Sequence, residues 1–179
     1  MRFVPAPLEG VFVIEPEFLE DERGFFARSF CQDQFRAHGL DPVVAQCNIS
    51  FNRQCGTLRG LHYQAPPHEE AKLVRCTRGA IWDAVVDLRD SSVTRYRWFA
   101  VELTSESHRA LYVPTGFAHG FQTLANDSEA LYQMSGSFHP ESARGLRWDD
   151  PAFGIAWPIR NPVLSLKDQS YPFLERAAM

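Results

Sequence analysis

Beyond residue 40 the chain is a succession of short runs in which apolar and polar positions alternate with a period of two, the mark of β-strands. Residues 80–88 show it most clearly, with Trp82, Ala84, Val86 and Leu88 opposing Ile81, Asp83, Val85 and Asp87. Strands are also predicted over 43–51, 73–77, 98–104, 110–113 and 129–138, the last with Ala130, Tyr132 and Met134 facing one way. Turn signals such as Arg78-Gly79, 105–108 and Pro114-Thr-Gly116 separate them. Such a succession reads as a β-sandwich, jelly roll or barrel. One short helix is predicted over 29–38, capped by Ser29, with Phe30 and Phe35 inward and Gly39 as its left-handed stop. Pro5, Pro7 and Pro16 punctuate residues 1–17, which suits an edge strand or an arm reaching onto a neighbouring copy. From Pro140 the chain is turn-rich. With no repeat, linker or low-complexity tract, a single domain over 1–179 is expected, with 1–17 as an N-terminal arm and 160–179 as a C-terminal extension.

Composition narrows the function. At 45% hydrophobic and 22% charged, the 179 residues can bury a substantial core, and 13% aromatic content with 12 Pro and 11 Gly fits β-structure with many turns. A net charge of −4 argues against a nucleic-acid partner, which would require a basic face, yet leaves room for a local basic pocket. No apolar run is long enough for a membrane span, and no secretory leader is expected from the opening residues. Cys31, Cys47, Cys55 and Cys76 lack the paired spacing of a zinc site, so reduced thiols and a cytoplasmic location are expected.

The chemistry concentrates between Gly56 and Arg78, where Arg59, His62 and Lys72 interrupt segments that otherwise read as buried strand. Charge in such places needs a partner or a cavity. Asp83, in the middle of a strand, poses the same demand, and Lys72 is the cation nearest to it in sequence. Gln46 and Asn48 share one face of their strand, and Arg23 stands beside Gly24, Phe25 and Phe26, where it can hold an anion against an aromatic face. No glycine-rich phosphate loop opens a helix, and no nucleophile elbow is present. A metal site drawn from His62, His68, Glu69 and His119 is the serious rival.

Pro114-Thr-Gly-Phe-Ala-His119 resembles the second motif of the cupins. Their first motif offers two histidines one residue apart, where this chain has His62-Tyr63-Gln64, so the resemblance carries the fold and not the metal. The runs Gly56-Thr-Leu-Arg-Gly-Leu-His-Tyr-Gln64, Lys72-Leu-Val-Arg-Cys76, Pro114 to Phe121 and Lys167-Asp168, in that order, together resemble the dTDP-4-dehydrorhamnose 3,5-epimerase family over about Gly10 to Pro172.

That resemblance implies an all-β, cupin-type double-stranded β-helix (jelly roll) with a short peripheral helix and terminal extensions, acting as a homodimer, without metal or other cofactor, on a nucleoside-diphospho 4-keto-6-deoxyhexose. It implies His62 as the base, Asp168 as its orienting partner, Tyr132 as the acid on the opposite sugar face, and Lys72 near the 4-keto oxygen; Asp83 is expected to position Lys72. It also implies that Arg23, Phe26, Gln46, Asn48, Arg59, His119, Phe138 and Lys167 hold the nucleotide sugar. Arg28 and Ala143 stand where the family carries glutamates, and Ser137-Phe138 where it carries the tyrosine that stacks on thymine, so Phe138 is expected to take over that stacking. The alternatives are a metal-dependent cupin dioxygenase or isomerase using His62 and His119, and a non-catalytic nucleotide-sugar-binding module.

Overall fold

The structure, a computed structural model, describes residues 1–174. Its strands are β1 (Arg2–Pro5), β2 (Phe12–Glu15), β3 (Phe18–Asp21), β4 (Gly24–Ala27), β5 (Gln46–Asn52), β6 (Leu58–Gln64) and β7 (Lys72–Arg78). After these come β8 (Ala80–Asp87), β9 (Trp98–Thr104), β10 (Ala110–Val113), β11 (Phe117–Thr123), β12 (Ser128–Met134) and β13 (Ala143–Gly145). Two short helices, α1 (Gln32–Ala37) and α2 (Leu166–Ser170), complete the elements. A six-stranded sheet runs β1-β2-β10-β7-β12-β5, a five-stranded sheet runs β13-β6-β11-β8-β9, and β3-β4 forms a separate hairpin. Every pairing among these strands is antiparallel. Two antiparallel sheets enclosing one core form the expected jelly roll.

The alternation along β8 explains why it reads as almost wholly apolar: both of its faces are covered. Ile81 and Val85 join Val74, Leu111, Phe117 and Phe121 between the sheets, whereas Trp82, Ala84 and Val86 point outward against Phe153 and Trp157 of the C-terminal segment. On the outer face of the other sheet, Phe35 and Leu40 pack against Ile14, Leu73 and Tyr112. Each fully buried large apolar side chain contributes about 1.5–3 kcal/mol, so three apolar layers anchor both sheets and leave the residues between them little freedom.

Two local expectations need correction. The first helix begins at Gln32 rather than Ser29, its N-cap is Cys31 with no side-chain hydrogen bond, and the Ser29 carbonyl instead accepts from Arg75 Nη2 at 2.8 Å. Its end is as expected: Gly39 at φ +70° turns the chain while its N–H and that of Leu40 close on Arg36 and Phe35. A second helix, α2, lies where none was anticipated, capped by the Ser165 hydroxyl accepting from the Asp168 N–H. At the N-terminus β1 is an edge strand, while β2 lies inside the sheet between β1 and β10. All four cysteines are free thiols, and among the described residues no helix is long and apolar enough to cross a membrane.

Candidate active site

The inward-facing rows of both sheets begin apolar and turn polar toward one end. On β7, Lys72 continues the row of Val74 and Cys76; on β11, His119 lies between Phe117 and Phe121; on β12, Tyr132 follows Ala130. These three side chains border a cavity of about 490 Å³, closed by His62 from β6, by Asn48 to Ser50 from β5, and by Lys167 and Asp168 from α2. The geometry depends on two glycines where β6 and β11 meet. Gly60 has φ +143°, and a Cβ there would lie 2.5 Å from the Gly120 Cα. That close approach, with a register shift between His119 and Phe121, makes His62 and His119 direct cross-strand neighbours.

His62 is half-buried, and its Nε2 lies 2.6 Å from Oδ1 of Asp168, which is 4% exposed. A carboxylate can only accept, so Nε2 carries the proton and Nδ1 is left as the basic nitrogen. Asp168 is fixed in turn by its place in the first turn of α2. Tyr171, just beyond that helix, sets its ring edge-on to His62 with centroids 5.7 Å apart. The Tyr171 ring occupies the space above Gly145, where a Cβ would come within 2.3 Å of it.

The expectation that Lys72 partners Asp83 is corrected. Asp83 Oδ1 pairs with His119 Nε2 at 2.6 Å, both groups buried, and Asp83 Oδ2 has no hydrogen-bond partner. Lys72 instead has Glu70 Oε1 at 3.5 Å and donates to the His62 carbonyl at 3.3 Å. Burial lowers the Lys72 pKa, while the charge of Glu70, its hydrogen bond and, more weakly, Asp83 oppose that loss. Burial also pushes the Tyr132 phenol well above its usual range, with Ser50 and Arg59 offsetting only part of the effect. The phenol is therefore a proton donor at neutral pH.

Arg59 lines the cavity with its Nε donating to Asn52 Oδ1 at 2.7 Å, and Asn48, Phe138 and Lys167 line it too. Gln46 does not: its Oε1 accepts from the Phe138 N–H at 3.0 Å and so holds the segment that does. Arg23 and Phe26 are also absent from the lining. Arg23 is ion-paired with Asp21 on the exposed β3-β4 hairpin, where Phe26 is 69% exposed. Glu70, Arg144 and Tyr171 line the cavity but escaped the sequence reading. Glu70 had a signal, being two residues from Lys72; Tyr171 had none without α2.

The two histidines of the metal alternative each have Nε2 engaged by an aspartate. Among the described residues, His68, His139 and Glu141 bring potential ligand atoms within 4.8 Å of one another. The rings of His68 and His139 are stacked at 3.5 Å and 11°, however, so their lone pairs lie in two nearly parallel planes and do not converge on one ion.

The sequence profile of the dTDP-4-dehydrorhamnose 3,5-epimerase family matches residues 5–176. The Sinorhizobium fredii protein named dTDP-4-dehydrorhamnose 3,5-epimerase is 45% identical over 175 residues, covering 97% of this chain and 90% of that one. The crystal structure of the Elizabethkingia anophelis enzyme of the same name superposes with a TM-score of 0.94 at 39% identity, over 97% of this chain and 96% of that one. The Legionella pneumophila dTDP-6-deoxy-D-glucose-3,5-epimerase, solved in complex with dTDP-4-keto-L-rhamnose, superposes at 0.90 with 35% identity, over 96% and 92% of the two chains. With both the family profile and the fold matched over nearly its whole length, this chain belongs to the dTDP-4-dehydrorhamnose 3,5-epimerase family.

Proposed function

We propose that the chain epimerises C3 and C5 of dTDP-4-dehydro-6-deoxyglucose to give dTDP-4-dehydrorhamnose, using its own side chains. The observation that carries this reading is one cavity lined by the His62-Asp168 pair from the five-stranded sheet and α2, by Tyr132 from the six-stranded sheet, and by Lys72. Hydrogens at C3 and C5 both lie alpha to the C4 ketone, so loss of either gives the same type of enolate. If that C–H is about a dozen pK units weaker as an acid than imidazolium, the enolate lies about 16 kcal/mol uphill. A base alone cannot overcome this. Lys72, buried in the cavity wall, supplies a cation at the developing oxyanion, where low exposure to water strengthens the interaction.

His62 Nδ1 removes the proton on one sugar face, and Tyr132 delivers one to the other, which inverts the centre. Each inversion leaves imidazolium and phenolate, which exchange with solvent to reset the site. Arg59 and Lys167 hold the diphosphate, Asn48 and His119 the sugar and Phe138 the base, with Gln46 supporting Phe138 through its backbone.

The same reading makes the protein a cytoplasmic homodimer. Leu19, Phe25 and Phe26 of the β3-β4 hairpin are each more than half exposed in the single chain. Because Arg23 and Phe26 lie outside their own cavity, their role in holding substrate requires that a second copy receive the hairpin.

The test is incubation with dTDP-4-keto-6-deoxyglucose in deuterated water, followed by NMR. Deuterium at C3 and C5 that appears in the presence of chelator and is abolished by His62→Ala supports the proposal. Activity that chelator abolishes favours metal-dependent chemistry, and ligand binding without exchange reduces the protein to a binding module.

A further inference from the structure

Glu70 lies just before β7 and forms a hub. Its side chain is 5% exposed, and its two oxygens face different donors: Oε1 faces Lys72 Nζ at 3.5 Å, and Oε2 accepts from the Gln64 amide. Gln64 in turn donates to the Ser137 carbonyl at 3.0 Å and accepts from the His139 N–H at 2.6 Å. It therefore pins the segment that places Phe138 at the cavity. Among the described residues Glu70 is the only carboxylate in ion-pairing distance of Lys72.

We propose that Glu70 is a positioning residue for this site, keeping Lys72 as an ammonium ion aimed into the cavity and tying that ion, through Gln64, to the Phe138 segment. The proposal rests on the reading of Lys72 as the cation that meets the enolate oxygen. Its physical basis is that a buried amine without a counter-charge gives up its proton, and a neutral amine cannot balance an oxyanion. The other groups packed around Lys72 do not replace Glu70. Asp83 from β8 is engaged by His119 from β11, His62 from β6 offers its carbonyl, and Tyr132 from β12 is held in its protonated form by burial. A glutamine at position 70 would have to turn its NH₂ toward Lys72 or toward Gln64, both donors.

The chain contains only two lysines, Lys72 and Lys167, so lysine labelled with ¹³C at Cε gives two side-chain signals that can be titrated directly. In Glu70→Gln the Lys72 midpoint is expected to fall by about one pH unit or more relative to wild type, the size typical of losing an adjacent opposite charge. The alkaline limb of kcat for C–H exchange is expected to move down with it, with KM changing less. Glu70→Asp, which keeps the charge, is expected to restore both toward wild type. Should Glu70→Gln not fold, Glu70→Ser carries the same comparison. An unmoved Lys72 midpoint in the folded neutral variant overturns the proposal even if exchange proceeds. Wild-type protein that performs no exchange overturns the function while leaving the lysine titration to decide Glu70 separately.

Discussion

Nε2 of His62 lies 2.6 Å from Oδ1 of Asp168 across 106 positions of sequence, the longest-range side-chain pairing in the cavity. Asp168→Asn preserves size while offering an amide that can present its NH₂ to the ring and stabilise the wrong tautomer. The expected outcome is a fall in the rate of C–H exchange approaching that of His62→Ala, about 10²- to 10⁴-fold, with the melting temperature little changed. Exchange kinetics and thermal melts on both variants check it.

Tyr132→Phe separates the two halves of the reaction. Without the phenol, His62 can still remove a proton and return a deuteron to the same face. The variant is therefore expected to exchange C–H for C–D while forming epimer about a hundredfold more slowly or worse. Measuring exchange and inversion on the same sample by NMR decides the point. Because burial raises the phenol's pKa, deprotonation of Tyr132 should not set an alkaline limit near neutral pH.

Gly60→Ala tests the close approach of β6 to β11. The new methyl would press on the Gly120 backbone, and alanine would also have to adopt φ +143°. A loss of about 2–4 kcal/mol in stability is expected from strain and overpacking together, read by denaturant unfolding.

Gly145→Ala should act on function more than on stability. A methyl at 145 lies within 2.3–2.5 Å of the Tyr171 ring, so the ring and the adjoining end of α2 must shift. Since Asp168 belongs to α2, the expected result is an exchange rate reduced at least tenfold in a protein that still unfolds cooperatively. Equal rates for variant and wild type would show that Tyr171 has no part in orienting His62.

Asp87 governs acid stability away from the cavity. Burial alone would raise its pKa, but hydrogen bonds from Arg89, Ser92 and Thr94 hold it well below the usual carboxylate range. The folded-state value is depressed, so its contribution is complete above the unfolded value near 3.8 and is lost as pH falls below that toward the folded value. Asp87→Asn is expected to cost about 3 kcal/mol at neutral pH, with the gap to wild type narrowing below about pH 4. Unfolding midpoints across this range provide the check.

Much of the fold was legible because alternation reports directly on strands. The runs 98–104 and 110–113 match β9 and β10, and Ala130, Tyr132 and Met134 share a face on β12, the first in the core and the other two at the cavity. The first helix was read too long at its start, since Ser29 can cap a helix but here its carbonyl serves Arg75. The second was missed because five residues carry too little periodicity to register.

By itself the sequence determined most of the strands between residues 46 and 134, which of their side chains share a face, and the family resemblance that named the candidate site residues. A period of two decides the face of a strand and says nothing about what stands across from it. Only the tertiary structure decided that Asp83 serves His119, that Glu70 serves Lys72, that Gln46 acts through the Phe138 backbone, and that Arg23 and Phe26 lie outside their own cavity. Those assignments follow from sheet order, the Gly60-Gly120 contact and the docking of α2, which arise between distant segments and leave no trace in any local pattern.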